Sequence, residues 1–258
     1  MPKQDQQQSQ IKSRQRVADH GEVFTNPREV NAMLDLVRDE SFRLDSRFLE
    51  PACGDGNFLI EILRRKLSLL KDIKSQTEWE FKSLIAVGSC YGIDILPDNA
   101  EACRTRLEEY VLSQHPASKR LNARSAINTI QTKRSVVEIQ ADKRSVMEED
   151  DGHDRHLEEM RQEPYLLSLR YMLQKNIVCG DALTYRTAEN KPITFCEWTP
   201  IAGDMQFSRR DFQFDFLVTQ SHQYSLFDEQ GEVQSFDEPV RTYPPLHYTQ
   251  LYRYEEQL

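Results

Sequence analysis

The stretch Phe48-Leu49-Glu50-Pro51-Ala52-Cys53-Gly54-Asp55-Gly56-Asn57-Phe58 constrains the fold more than any other part of the chain. It begins apolar, as a buried strand does, and breaks into a tight turn that holds two glycines. Beyond the turn, Phe58, Leu59, Ile62, Leu63, Leu67 and Leu70 recur at helical spacing, with Glu61, Arg64 and Arg65 on the opposite side. Strand, glycine turn, helix is the opening unit of an α/β fold that binds a nucleotide-like ligand. Glycine lets the backbone approach a ligand without a Cβ in the way, and the helix start supplies free N–H groups.

The rest of the chain repeats this alternation. Asn26-Pro27-Arg28-Glu29 predicts a helix start, with Asn26 as cap, Pro27 in the first turn and Glu29 three residues after the cap. Val30, Met33, Leu34 and Val37 then form its apolar face. The runs 84–88 and 90–94 read as a buried strand that ends in Asp94. Pro97 and Asn99 start a helix with Ala100, Cys103, Leu107 and Val111 on one side. Further strands are expected at 176–179, before Gly180-Asp181-Ala182, and at 214–218. Strands alternating with helices predict a parallel sheet.

Length and composition set the frame for this. A chain of 258 residues has room for one substantial core, and 29% charged against 38% hydrophobic residues leaves it on the polar side. Residues 1–18 read as a flexible, mildly basic arm and 19–235 as the main domain. Residues 112–165 form a polar, helical insertion, and 236–258 an irregular tail. The insertion carries Lys-Arg-Ser-Val twice, at 133–136 and 143–146, a weak sign of duplication. No apolar run approaches the roughly 18 residues that span a membrane. Five scattered cysteines without metal-type spacing, and an N-terminus without a leader's apolar core, point to a reducing cytoplasm. The net charge of −9 excludes a generally basic nucleic-acid coat but not local basic patches.

In an open α/β sheet, ligands lie outside the carboxyl ends of the strands. Three features converge there: the 54–56 turn, Asp94 and Asp181. A carboxylate ending the second strand suits ribose hydroxyls, and one after the third suits an exocyclic amine. Taken alone, a Gly-Asp-Gly turn is commonly only a turn, and a strand-ending Asp is commonly a helix cap. In order and behind strand patterns, the three point to an adenosine-containing ligand. A dinucleotide fingerprint is excluded, because Phe58 and Leu59 stand where its third glycine would fall.

At these residues the chain resembles a family. Glu50-Pro-Ala-Cys-Gly-Asp-Gly-Asn-Phe58 is similar to the AdoMet-binding motif of the N6-adenine DNA methyltransferases of restriction–modification systems. Residues 88–94 with Asn99 resemble that family's second motif, 176–181 its third, and Glu22-Val-Phe-Thr25 with Pro27 its upstream loop. The resemblance covers roughly 14–110 and 170–218. It implies a Rossmann-like class I methyltransferase sheet and S-adenosyl-L-methionine as cofactor. Phe24 and Thr25 would line the methionine side, and Glu50, Gly54 and Gly56 would approach the cofactor. Asp94 would hold the ribose and Asp181 the adenine, while Pro51, Asp55, Asn57, Ile95 and Ala182 complete the set by their places in the same motifs. DNA is the implied substrate.

The family pattern stops at the fourth strand. An amino methyltransferase needs a polar side chain, two prolines and an aromatic there, to hold the target amine and stack a flipped base. Residues 214–218 run instead into Thr219-Gln220-Ser221-His222-Gln223-Tyr224. Gln220 stands at the Asn position and Tyr224 one residue beyond the stacking aromatic. Either the two form an unusual catalytic site or the site is lost. The 40 residues after Val218 are too few for the rest of such a sheet, so a restriction or methyltransferase partner subunit is expected to complete it.

Other candidates carry less. His153-x-x-His156 has metal-pair spacing but sits in a charged stretch and reads as solvated, so no metal is expected. Lys119-Arg120, Lys133-Arg134, Lys143-Arg144 and Arg209-Arg210 are candidate phosphate contacts, with plain surface charge as the simpler reading. Trp198 reads as core packing. Tyr243-Pro244-Pro245-Leu246 reads as an extended, polyproline-like segment.

Overall fold

A computed structural model describes Arg16 and residues 25–118, 163–201, 203–215 and 239–257. Among these, two three-stranded sheets and their helices form the molecule. The first sheet is parallel, in the order β1 (Phe48–Glu50), β2 (Cys90–Asp94), β3 (Ile177–Cys179), so the protein is α/β with a small parallel sheet.

Helix α1 (Pro27–Asp35) starts as the sequence dictates, with Asn26 Oδ1 accepting the Arg28 N–H at 2.9 Å. Its buried face is narrower than expected. Val30 and Leu34 enter the core, but Met33 is 55% exposed, and Val37 lies beyond the helix and is 45% exposed. Helix α2 (Asn57–Ser68) follows the glycine turn and buries Leu59, Ile62, Leu63 and Leu67, with Leu70 just beyond its end. Its other face is not the solvated one expected. Glu61 and Arg65 are buried and paired at 3.0 Å, and Arg65 also meets Asp35 at 2.8 Å and donates to Ser41 Oγ at 3.1 Å. Lys66 is fully buried, its ammonium donating to Ser46 O and Ser89 Oγ, and burial pulls its pKa down.

Residues 84–88 are not strand. They end helix α3 (Gln76–Gly88), which Ser75 caps by accepting the Glu78 N–H at 3.3 Å. An apolar run of five fits a buried helix end as well as a strand, and the cap settles it as helix. Strand β2 is Cys90–Asp94 alone and is buried throughout. Helix α4 (Pro97–Gln114) buries Ala100, Cys103, Leu107 and Val111, as its spacing requires. The described part of the expected insertion continues this helix through 114. Helix α5 (Pro164–Asn176) then leads directly into β3, with Asn176 ending the helix rather than starting the strand.

The second sheet is antiparallel, β4 (Thr194–Ile201), β5 (Gln206–Gln213) and β6 (Arg241–His247), with β5 in the middle. It corrects two expectations. Of the strand expected at 214–218, Phe214 and Asp215 are helical and 216–218 lie outside the described residues, while the strand before them, β5, ends at Gln213 and pairs with β4. The segment at 236–258 is not an irregular tail. β6 pairs with β5, its Pro244 and Pro245 tolerated because the strand is at the sheet edge. A 3-10 helix (Tyr248–Gln257) buries Tyr248, Leu251 and Tyr254, and the Leu251 N–H donates to Ser168 Oγ on α5 at 3.1 Å. Trp198 packs in the core as expected, its indole N–H donating to Asn176 Oδ1 at 3.0 Å. No described helix is long and apolar enough to cross a membrane.

Candidate functional site

A cavity of about 530 Å³ opens at the carboxyl ends of the three parallel strands. Strand register builds it. Glu50 at the end of β1 lies opposite Gly92, two residues short of the end of β2. Asp94 therefore projects past β1, within reach of the turn that follows. The Gly54 N–H donates to Asp94 Oδ2 at 2.8 Å, and the Cys53 N–H to Ile93 O at 2.8 Å. On the other side, the Gly180 N–H donates to Asp94 O at 2.9 Å. The end of β2 thus holds both neighbouring turns.

The two glycines are required here. Gly54 and Gly56 have φ of 54° and 93°, the left-handed region that other residues enter only with strain. A Cβ on Gly56 would also stand 2.7 Å from Cys103 Sγ on α4.

Of the residues singled out from the sequence, Thr25, Glu50, Pro51, Gly54, Asn57, Asp94, Ile95, Asp181 and Ala182 line this one cavity. Gly56 and Asp55 do not. Gly56 is buried against Cys103, and Asp55 turns outward to an ion pair with Arg106 at 2.7 Å, because the left-handed turn points successive residues apart. Phe24, Gln220, Tyr224, His153 and His156 lie outside the described residues, as do the basic pairs at 119–120, 133–134 and 143–144. The remaining basic pair is not free for phosphate. Arg209 is buried and bonded to Asp211 through two nitrogens at 2.7 and 2.8 Å, while Arg210 pairs with Glu197.

The three carboxylates differ in what holds them. Asp94 is buried, with Oδ1 accepting from the Leu96 N–H at 2.9 Å and Asn99 Nδ2 at 3.2 Å, in addition to Gly54 on Oδ2. Asp181 Oδ1 accepts the Leu183 N–H at 2.8 Å, and the residue lines the cavity. Glu50 accepts only a long 3.3 Å bond from the Ala52 N–H. Burial raises its pKa, and the Ala52 bond offsets part of that rise. A half-buried carboxylate of this kind is stabilised by an incoming cation. Cys53, also in the lining, is not a nucleophile: its hydrogen bond with Cys103, and then burial, push the thiol pKa far up.

Sequence reasoning missed Asn99 as a ligand of Asp94, and Arg106 altogether. Arg106 lies one helical turn after Cys103, the residue beneath Gly56, and that spacing was the available signal. No described lining residue is Lys, Arg or His. The described lining therefore offers carboxylates, backbone N–H groups and apolar side chains, and Arg16 reaches it from outside, its Nη2 donating to Asn99 Oδ1 at 3.2 Å. No protein-family model, curated protein or solved structure matches this chain.

Proposed function

We propose that this chain is the AdoMet-binding part of an N6-adenine DNA methyltransferase-type protein of a restriction–modification or phage-defence system. The observation that carries this reading is the cavity itself: three carboxylates at the ends of parallel strands and no basic side chain in the described lining. AdoMet carries two positive centres, a sulfonium and an α-ammonium, and no phosphate. A nucleotide di- or triphosphate would meet Glu50, Asp94 and Asp181 with no basic side chain among the described lining residues. The strand order supports the same reading, since β1-β2-β3 in parallel is one half of a Rossmann-like sheet.

On this reading Asp94, already held by Gly54, Leu96 and Asn99, accepts from the ribose hydroxyls. Asp181 accepts from the adenine amine, and Glu50 meets the ammonium at the methionine end. Bound by these residues, AdoMet would supply an activated methyl group. Its chemistry with an adenine amine would be a direct displacement in which the S–CH3 bond breaks as the N–CH3 bond forms and the amine gives up one proton.

A second reading has its own support: a non-catalytic AdoMet- or DNA-binding subunit of a larger complex. The last described strand before Gln220 and Tyr224 is β5, which runs antiparallel in the other sheet rather than beside β1. The outer edge of β1, where a fourth parallel strand would add, has no described partner strand. Both readings assign the acceptor side to DNA and a partner subunit.

Calorimetric titration with AdoMet, ATP and NAD+ is the test. Heat with AdoMet alone, lost in Asp94→Ala, is expected; binding of ATP in preference to AdoMet would overturn the assignment. Methyl incorporation into mixed-sequence DNA, with and without proteins encoded next to this one, separates the two readings. Incorporation that vanishes in Gln220→Ala supports catalysis by this chain, and silence with every partner supports the binding role.

A further inference from the structure

We propose that Arg106 is a positioning residue for the cofactor cavity, acting through Asn57 on both its floor and its Thr25 wall. The inference rests on the AdoMet reading above. The turn between β1 and α2 places Gly54 and Gly56 in left-handed backbone and is closed locally by the Gly56 N–H donating to Cys53 O at 2.8 Å. It is fixed from two sides. Asp94 holds Gly54 from the strand side at 2.8 Å. From the helix side the only described long side chain that reaches the turn's carbonyl is Arg106 of α4, whose Nη1 donates to Asp55 O at 2.7 Å.

The same guanidinium has a second target. Its Nη1 and Nη2 both lie 3.2 Å from Asn57 Oδ1, which fixes the orientation of that amide. With its oxygen committed to Arg106, Asn57 presents its Nδ2 to Thr25 O at 3.3 Å. Asn57 and Thr25 both line the cavity, and Arg106 does not. Arg106 therefore touches no ligand and sets two residues that do. It also holds the Asp55 carboxylate out of the lining by an ion pair. That contact is electrostatic rather than a directed hydrogen bond, since Asp55 Oδ1 has no aligned donor.

A planar fork is needed for this task. One guanidinium serves a backbone carbonyl, a carboxylate and an amide oxygen at fixed angles, whereas an ammonium supplies the charge without the fork. Arg106 is 36% and Asp55 27% exposed, so the pair is partly screened by solvent and the fold should survive its loss, although Asp55 Oδ1 itself is buried.

The test measures AdoMet affinity by calorimetry and melting temperature without ligand, for wild type, Arg106→Met, Arg106→Lys, Asn57→Ala and the double variant Arg106→Met/Asn57→Ala. Arg106→Met should bind AdoMet about tenfold to a hundredfold more weakly. Its ligand-free melting temperature should stay within about 2 °C of wild type. Arg106→Lys should recover part of the affinity, and the double variant should bind no more weakly than the worse single variant. Wild-type affinity in Arg106→Met would overturn the inference, as would a loss that only tracks melting temperature, or additive losses in the double variant. If wild type itself gives no heat with AdoMet, the cofactor reading fails and the inference with it. If wild type binds and Arg106→Met binds equally, only the role of Arg106 is removed.

Discussion

The two sheets of this molecule both bury charge, and they do so in opposite ways. In the antiparallel sheet, Arg209 is 4% exposed and fully engaged. It forms two bonds to Asp211 and one to Tyr171 Oη, and its guanidinium lies 4.3 Å from the centre of the Tyr243 ring and within 6 Å of Tyr171, Trp198 and Tyr254. Asp211 also accepts from Tyr243 Oη at 3.2 Å. At the ends of the parallel sheet, by contrast, Glu50 is half-buried with one long hydrogen bond, and a cavity stands in front of it. Buried charge with its partners supplied serves the fold. Buried charge left short of partners marks a place where something else binds.

The largest expected effect lies in the saturated cluster. Arg209→Leu leaves Asp211 buried without its counter-charge, and breaking a buried pair costs about 3–5 kcal/mol. Thermal unfolding should fall by many degrees and take the whole molecule down together, because β5 is the centre of its sheet and Tyr254 Oη donates to Phe207 O at 2.9 Å. Its AdoMet affinity, measured below the new transition, should be unchanged. If affinity drops while stability holds, the division between the two sheets is wrong.

Next in size is Gly56→Ala. A left-handed alanine costs about 1–2 kcal/mol, and the added methyl would press on Cys103, which is fully buried. Here stability and binding should fall together, since the same turn supports α2 and forms the cavity floor. Chemical denaturation beside AdoMet titration checks it. Full affinity in the Gly56→Ala variant would show that the turn's conformation is not what the cavity needs.

These differences also explain what the sequence made legible. The parallel sheet was readable because its information is local: strand, turn and helix follow within 48–70, and Asp94 ends its own strand. The antiparallel sheet was not. The inward positions of β5 are Phe207, Arg209 and Asp211, so two of three residues facing the interior are charged and the apolar alternation of a strand is masked. Its partners β4 and β6 are fixed by pairing across the chain, which no single stretch encodes. Within the site, nine of the lining residues followed from motif positions, whereas Arg106 did not, because its contacts to 55 and 57 cross from one helix to another loop.

The smallest effect separates the two kinds of buried charge most cleanly, because stability and binding should move in opposite directions. Burial raises the pKa of Glu50 above its ordinary 4.5. The folded state therefore holds this proton more tightly than the unfolded one. Its favourable contribution is present below pH 4.5 and is lost as pH rises through the folded pKa, so at neutral pH the ionised side chain costs the fold a little. Glu50→Gln removes that cost, and its melting temperature at about pH 7 should rise slightly. An AdoMet ammonium has the contrary preference, for the ionised form. Wild-type affinity should thus fall as pH drops through the raised Glu50 pKa, while Glu50→Gln should bind about tenfold more weakly at about pH 7 and show no such step. Calorimetric titrations from about pH 7 down past pH 4.5, with melting curves at each pH, read both quantities. A glutamine variant that is less stable than wild type would place Glu50 with Arg209, as a residue the fold requires. One that is more stable and binds more weakly places it in a site kept at the fold's expense.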